Sequence, residues 1–274
     1  MYLSAIDSYV MKSIAKVLFL LGFLSCYSQT GLSVSPPRVY YELAQGQSGA
    51  EKILITNVSE NNELEVGISL GDWEYNEIGE NMMYPADSLA NSCAGWISVA
   101  RENSYFTLKP QESREVEVFL TVPDQINTTI PAYTAMLFVT QMNPIDDIDS
   151  RGQAIRVNIR SGIKVYHRLP QSREWKIEIQ NMKFDKEAKH IELYFENNGN
   201  VWADGTIYID LMNTESGEKI KLDHIVFYSM PTNKRTLYIR LPEGLKTGKY
   251  VATVMMDYGD PDNMEAAELG FTYE

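Results

Sequence analysis

From Leu32 onward the chain is built of short runs in which apolar and polar residues alternate. SREVEVFLTV (113–122) sets Val116, Val118 and Leu120 in one row, and HIELYFEN (190–197) does the same with Ile191, Leu193 and Phe195. A period of two places successive side chains on opposite faces of an extended strand. Helical periodicity is nearly absent, which excludes bundles and alternating α/β folds. Runs at 32–43, 52–58, 64–73, 113–122 and 133–142 are parted by turn-formers such as Ala44-Gln45-Gly46-Gln47, Glu60-Asn61-Asn62 and Lys109-Pro110-Gln111. The stretch 74–104 is less regular and reads as a long loop or irregular insertion.

The longest alternating stretch is IRVNIRSGIKVYHRLP (155–170), with Ile155, Val157, Ile159, Ile163 and Val165 in one row and Arg156, Asn158, Arg160 and Lys164 in the other. It reads as one long strand with an apolar and a cationic face. After Leu169-Pro170-Gln171-Ser172 the pattern starts again and supplies about seven further strands, enough for one immunoglobulin-like sandwich. The expected fold class is all-β: two tandem immunoglobulin-like β-sandwich domains, 29–169 and 170–274, behind a signal peptide at 1–28. The short proline-bearing join predicts two sandwiches held at a defined angle.

The leader is read from MKSIAKVLFLLGFLSCYSQ, beginning at Met11. Two lysines, an apolar run from Val17 to Leu24 and then small residues follow the order of a secretory signal. The run is too short for a permanent membrane span. Met11 is the more natural start, and cleavage after Ser28 is expected. FLSC (Phe23 to Cys26) offers a second possibility, an outer-membrane lipoprotein acylated at Cys26. The other cysteine, Cys93, stands alone, so no disulfide framework is expected.

A hydrophobic content of 44% with 22% charged residues belongs to a folded chain, and a net charge of -13 argues against nucleic acid as a partner. No catalytic constellation emerges. GQSGA (46–50) lies in a turn between strands and lacks the nucleophile-elbow pattern. His167, His190 and His224 are scattered without metal-ligand spacing and read as surface or sheet residues. Asp146, Asp147 and Asp149, like Asp257, Asp260 and Asp262, lack the spacing of a calcium loop. No enzyme activity, cofactor or metal is expected.

Five segments together carry a resemblance. They are VSPPRVYY (34–41), FTLKPQESREVEVFL (106–120), TVPDQINTTIPAYTAMLFVTQMNP (121–144), IKVYHRLP (163–170) and MMDYG (255–259). In this order they resemble the periplasmic pilus-assembly chaperones, a family of two immunoglobulin-like domains set in an L. The resemblance implies that Ile155, Val157 and Ile159 form a donor strand offered to pilin-type or other incomplete β-sandwich subunits. It implies that Arg38 and Lys164 hold the subunit's terminal carboxylate, and that Arg168 and Asp257 form an interdomain ion pair. It also implies a periplasmic location and delivery to an outer-membrane assembly platform. An exposed apolar edge of this kind predicts self-association of the free protein. The sequence departs from the family pattern at Ala132-Tyr133-Thr134-Ala135, where an acidic residue is missing. The other reading of the same strands is an exported structural or adhesive surface module, in which the apolar row of 155–159 faces a closed core.

Overall fold

The computed structural model describes residues 31–148 and 152–274. The expected signal segment and Cys26 lie outside the described residues. The first half of the chain supplies twelve strands: β1 (Leu32–Ser35), β2 (Arg38–Glu42), β3 (Ser48–Asn57), β4 (Leu64–Tyr75), β5 (Asn81–Pro85), β6 (Ile97–Val99), β7 (Tyr105–Leu108), β8 (Ser113–Thr121), β9 (Ala132–Gln141), β10 (Ile145–Ile148), β11 (Ala154–Val157) and β12 (Arg160–Arg168). Eight follow the join: β13 (Ile177–Asp185), β14 (His190–Asn197), β15 (Ala203–Asn213), β16 (Lys219–Lys221), β17 (Ile225–Ser229), β18 (Lys234–Arg240), β19 (Gly248–Asp257) and β20 (Glu265–Tyr273). The fold is all-β, as expected from the alternation.

Two sheets make the first sandwich, one in the order β1-β3-β8-β6 and the other β2-β12-β9-β4-β5 with β7 beside β4. Their inward rows meet in one core: Ile53, Ile55, Val116, Val118 and Leu120 from the first sheet, and Val66, Ala135, Leu137, Val139, Ile163 and Val165 from the second. The second sandwich pairs the sheet β13-β14-β18 with β16-β15-β19-β20, where β17 also lies on β15. Its core joins Ile191, Leu193 and Phe195 to Ile207, Ile209, Leu211, Ala252 and Val254. Every one of these sets is a period-two row, so burial on one face decides the register.

Three local features differ from the sequence reading. First, the run 32–43 is two strands. β1 pairs with β3 in one sheet, whereas β2 pairs with β12 in the other, and the chain changes sheet at Pro36-Pro37, where no N–H is available to continue a ladder. Second, the stretch 74–104 is not loop throughout; it contains β5, a 3-10 turn at Ala94–Trp96, β6 and an α-helical turn at Arg101–Ser104. Buried Asp72 organises its middle, accepting hydrogen bonds from the Ser88 and Leu89 backbone N–H groups at 2.7 and 2.9 Å and from Ser92 Oγ at 2.6 Å.

The third difference concerns the stretch from Ile155, which is two strands and not one. β11 ends at Val157, opposite Ile145, and β12 begins at Arg160, opposite Thr140. Two residues on one side face four on the other, because 142–143 are bonded elsewhere. Met142 donates its N–H to Glu65 O at 2.7 Å, and Asn143 Oδ1 accepts from Glu65 N at 2.8 Å. The interruption is a bulge in a long hairpin, and it re-aims β10 and β11 away from the sheet.

β9 is buried along nearly its whole length. Its inward row faces the sandwich core, while Ala132, Met136 and Phe138 on the other face join Trp73, Tyr75, Tyr166 and, from the second sandwich, Met230. The outer face of this sheet is therefore covered in part by the second half of the chain. Truncation of Leu137, 1% exposed, tests the first core. Leu137→Ala is expected to lower stability by about 2–5 kcal/mol, read as an earlier midpoint in urea unfolding followed by tryptophan fluorescence.

Candidate functional site

β12 lies between β9, to which it runs antiparallel, and β2, to which it runs parallel. The parallel register sets three cross-strand pairs on the outward face: Lys164 beside Arg38, Tyr166 beside Tyr40, and Arg168 beside Glu42. The intervening residues Val39, Tyr41, Val165 and His167 point into the core. Period two thus builds a ladder of three rungs, a pair of cations, a pair of tyrosines and an ion pair.

Each rung has its own physics. The tyrosine rings stack at 5.0 Å. Trp202 of the second sandwich closes over both, 5.4 Å from Tyr40 and 5.2 Å from Tyr166. On the lowest rung Arg168 Nη2 donates to Glu42 Oε2 at 2.8 Å, and Arg173 in the join reaches the other oxygen at 2.7 Å. Arg168 Nη1 also donates to Ser172 O at 3.1 Å, which ties the join back to the strand before it. The sequence-expected ion pair between Arg168 and Asp257 is not formed. Asp257 is exposed at the end of β19, where its Oδ1 accepts the Gly259 N–H at 3.2 Å, and Glu42 stands directly across the ladder from Arg168.

On the top rung two cations sit side by side. Lys164 Nζ donates to Tyr75 Oη and Asn81 Oδ1, both at 2.7 Å, and lies 4.1 Å from the ring centroids of Trp73 and Tyr75. Burial and then the neighbouring Arg38 charge push its ammonium down to about 8. The Arg38 guanidinium rests 4.1 Å over the Tyr228 ring, and its Nε is buried with no hydrogen-bond partner among the described residues. A buried donor without an acceptor carries a free-energy cost.

Asp204 on β15 faces the same cleft. It accepts the Tyr40 hydroxyl at 3.2 Å. Burial raises its pKa, partly offset by Arg38, Tyr40 and Lys164. Arg235 adds a third cation nearby, donating to Tyr228 O and lying 5.3 Å from the Tyr75 centroid. The cleft thus holds more positive than negative charge, walled by aromatic rings and lined from both sandwiches.

The residues expected to form a donor strand separate. Val157 is 38% exposed on β11. Ile159 is half-buried, its Cδ1 3.4 Å from where a Cβ on Gly31 would lie. The backbone of Ile155 belongs to β11, and its side chain lies outside the described residues. β11 pairs with β10 in a two-stranded sheet, and β2 meets β12 only from Lys164 onward. Among the described residues β11 pairs only with β10, and the side of β12 that β2 takes up from Lys164 onward carries no strand over Arg160–Ile163, next to the two cations.

Sequence reading did not single out Tyr75, Asn81, Trp202, Asp204, Tyr228 or Arg235. Tyr40 and Tyr166 carried a signal, since each shares an alternating row with a cation already identified. The residues of the second sandwich carried none, because nothing local ties β15 or β17 to β2.

The Glu42 rung makes a prediction. Its hydrogen bond to Arg168, with the charge of Arg168 and Arg173 beside it, holds the carboxyl below its ordinary value of 4.5. A depressed carboxylate contributes stability that is present above the ordinary value and is lost as pH falls through the folded one. Melting temperatures of wild type and Glu42→Gln between pH 3 and 7 are expected to differ most near neutrality and to converge on the acid side.

No protein-family model matches the chain, and no curated protein sequence matches it. Solved structures do. The chain is similar to the E. coli chaperone DraB, with 18% identity, a TM-score of 0.46 and coverage of 88% of this chain and 98% of that one. It is similar to a chain of the Acinetobacter baumannii CsuC-CsuE chaperone-tip adhesion subunit complex, with 11% identity, a TM-score of 0.48 and coverage of 87% and 98%. It is similar also to the Pseudomonas aeruginosa CupB2 chaperone, with 9% identity, a TM-score of 0.43 and coverage of 88% and 100%.

Proposed function

We propose that the protein is a periplasmic chaperone that holds incomplete, pilin-type β-sandwich subunits until they reach an outer-membrane assembly platform. The observation that carries this reading is the top rung of the ladder, two cations in register at the end of an open strand edge. A subunit strand added along Ala154–Ile163 gains main-chain hydrogen bonds and pockets for alternate side chains. Its terminal carboxylate then meets Lys164 and the unpartnered Arg38 Nε.

Magnitudes show why the anchor matters. Burying three Ile or Val side chains contributes roughly 1.5–3 kcal/mol each. Association costs on the order of 4–15 kcal/mol. Apolar contacts from Ile155, Val157 and Ile159 therefore barely suffice. A desolvated carboxylate between two cations changes the balance, since losing one partner of such a pair costs about 2–5 kcal/mol. The anchor also sets register, because a slip of one residue would turn every donor side chain to the wrong face. Arg168 belongs to a different task on this reading, bracing the join through Glu42.

Capture from a periplasmic extract tests the reading. Wild type is expected to retain a small exported β-rich protein that Arg38→Ala/Lys164→Ala loses. A peptide with the subunit's C-terminal sequence and a free carboxylate should bind at least tenfold more tightly than its C-terminal amide. Equal binding of acid and amide, or equal capture by the double variant, would overturn the anchor and favour an exported surface-binding module.

The depressed Lys164 ammonium adds a pH dependence. A carboxylate binds the charged form, which is depleted above about pH 8. Peptide affinity should fall by up to tenfold per pH unit above that point, and Lys164→Met should flatten the profile. Open pairing edges also attract a second copy. Light scattering of the free protein is expected to show dimers at high concentration that dissociate when the peptide is added.

A further inference from the structure

Far from the cleft, the turn end of the β13–β14 hairpin gathers side chains that neither sandwich core nor cleft uses. Asp185 pairs across the hairpin with His190, and Lys183 with Glu192. All four side chains lie on the outward face, opposite the core row of Ile191 and Leu193. Tyr238 and Arg240 flank them from β18, in register with Glu192 and His190. A sheet surface would ordinarily leave such groups solvated. Here Glu192 is only 9% exposed, and His190 Nε2 is buried with no hydrogen-bond partner among the described residues.

We propose that Asp185, His190 and Glu192 form a binding site for a transition-metal dication of the zinc class. One donor atom from each residue lies within 4.8 Å of the other two. His190 Nε2 already faces Glu192 Oε1 at 3.5 Å. Metal bonds of about 2.0–2.2 Å bring tetrahedral donors to within about 3.5 Å of one another, a closure small side-chain rotations supply. An imidazole with two carboxylates selects zinc and its neighbours over calcium or magnesium, which prefer all-oxygen shells.

The surrounding contacts leave the right atoms available. Asp185 Oδ1 accepts the backbone N–H groups of Glu187 and Ala188, both at 2.9 Å, which fixes the carboxylate and leaves Oδ2 for a ligand. Glu192 Oε2 accepts from Lys183 Nζ at 2.7 Å and from the Tyr194 hydroxyl, leaving Oε1 toward His190. The His190 ring is oriented by an edge contact with Tyr238 at 4.9 Å. Such second contacts orient ligands and tune affinity. With three protein donors the fourth position would be taken by water, and the metal would clamp the free turn of the second sandwich.

Isothermal titration of the untagged protein with zinc chloride at pH 7.5, together with thermal melting, tests the site. One zinc per chain is expected, with a rise of several degrees in melting temperature at a hundredfold excess over Kd. His190→Ala and Asp185→Asn should each weaken zinc by tenfold or more. Asparagine keeps the Oδ1 acceptor that holds the turn, so that variant separates ligand loss from loss of folding. His224→Ala, outside the cluster, should bind as wild type does. Absence of zinc binding by wild type up to 100-micromolar metal, or equal binding by the Asp185 and His190 variants, would overturn the proposal.

Discussion

The parallel pairing of β2 with β12 is the interaction on which the rest depends. It places Arg38 beside Lys164, Tyr40 beside Tyr166 and Glu42 beside Arg168 in one register. A shift of a single residue would send the three pairs into the core and Val39, Tyr41, Val165 and His167 into the cleft. The buried row forbids that shift, so the hydrophobic core of the first sandwich dictates the chemistry of its outer face. The switch of sheets at Pro36-Pro37 serves the same end, since it releases β2 from β1's sheet to lie along β12.

The ladder also explains how the two halves of the chain are joined. Trp202 stacks on the tyrosine rung, Asp204 takes the Tyr40 hydroxyl, and Tyr228 carries the Arg38 guanidinium. At the far end Glu42 collects both Arg168 and Arg173. Exposed ion pairs contribute little individually. Arg168 is different, because its side chain is 15% exposed and also donates to Ser172 O. The interface thus grades from aromatic packing beside the cations to charge pairing beside the join.

Asp204 gives the cleft a second aspect. It supplies a carboxylate from within the chain, close enough to Arg38 and Lys164 that their charges oppose its burial-driven rise in pKa. An incoming carboxylate would therefore enter a cleft that already contains one anion, but still carries an excess of cations. Burial, and then the charge of Arg38, push the Lys164 ammonium down to about 8.

Local alternation was enough to determine that this chain is all-β, where most strands lie and which row of each is apolar. Val116, Val118 and Leu120 or Ile191, Leu193 and Phe195 could be assigned to cores without any partner, because a period of two has one physical solution on a half-buried sheet. The pairing of Arg38 with Lys164 was accessible only through the family resemblance, not through local pattern. Tertiary structure alone decided the rest. It split the strand from Ile155 at residues 158–159, because Met142 and Asn143 bond to β4 and unbalance the hairpin. It gave Arg168 to Glu42 instead of Asp257, because cross-strand register sets the nearer carboxylate. It brought Trp202, Asp204 and Tyr228 to the cleft, and Asp185, His190 and Glu192 to one hairpin end. Alternation tells a side chain which face it occupies; only packing and register tell it what stands opposite.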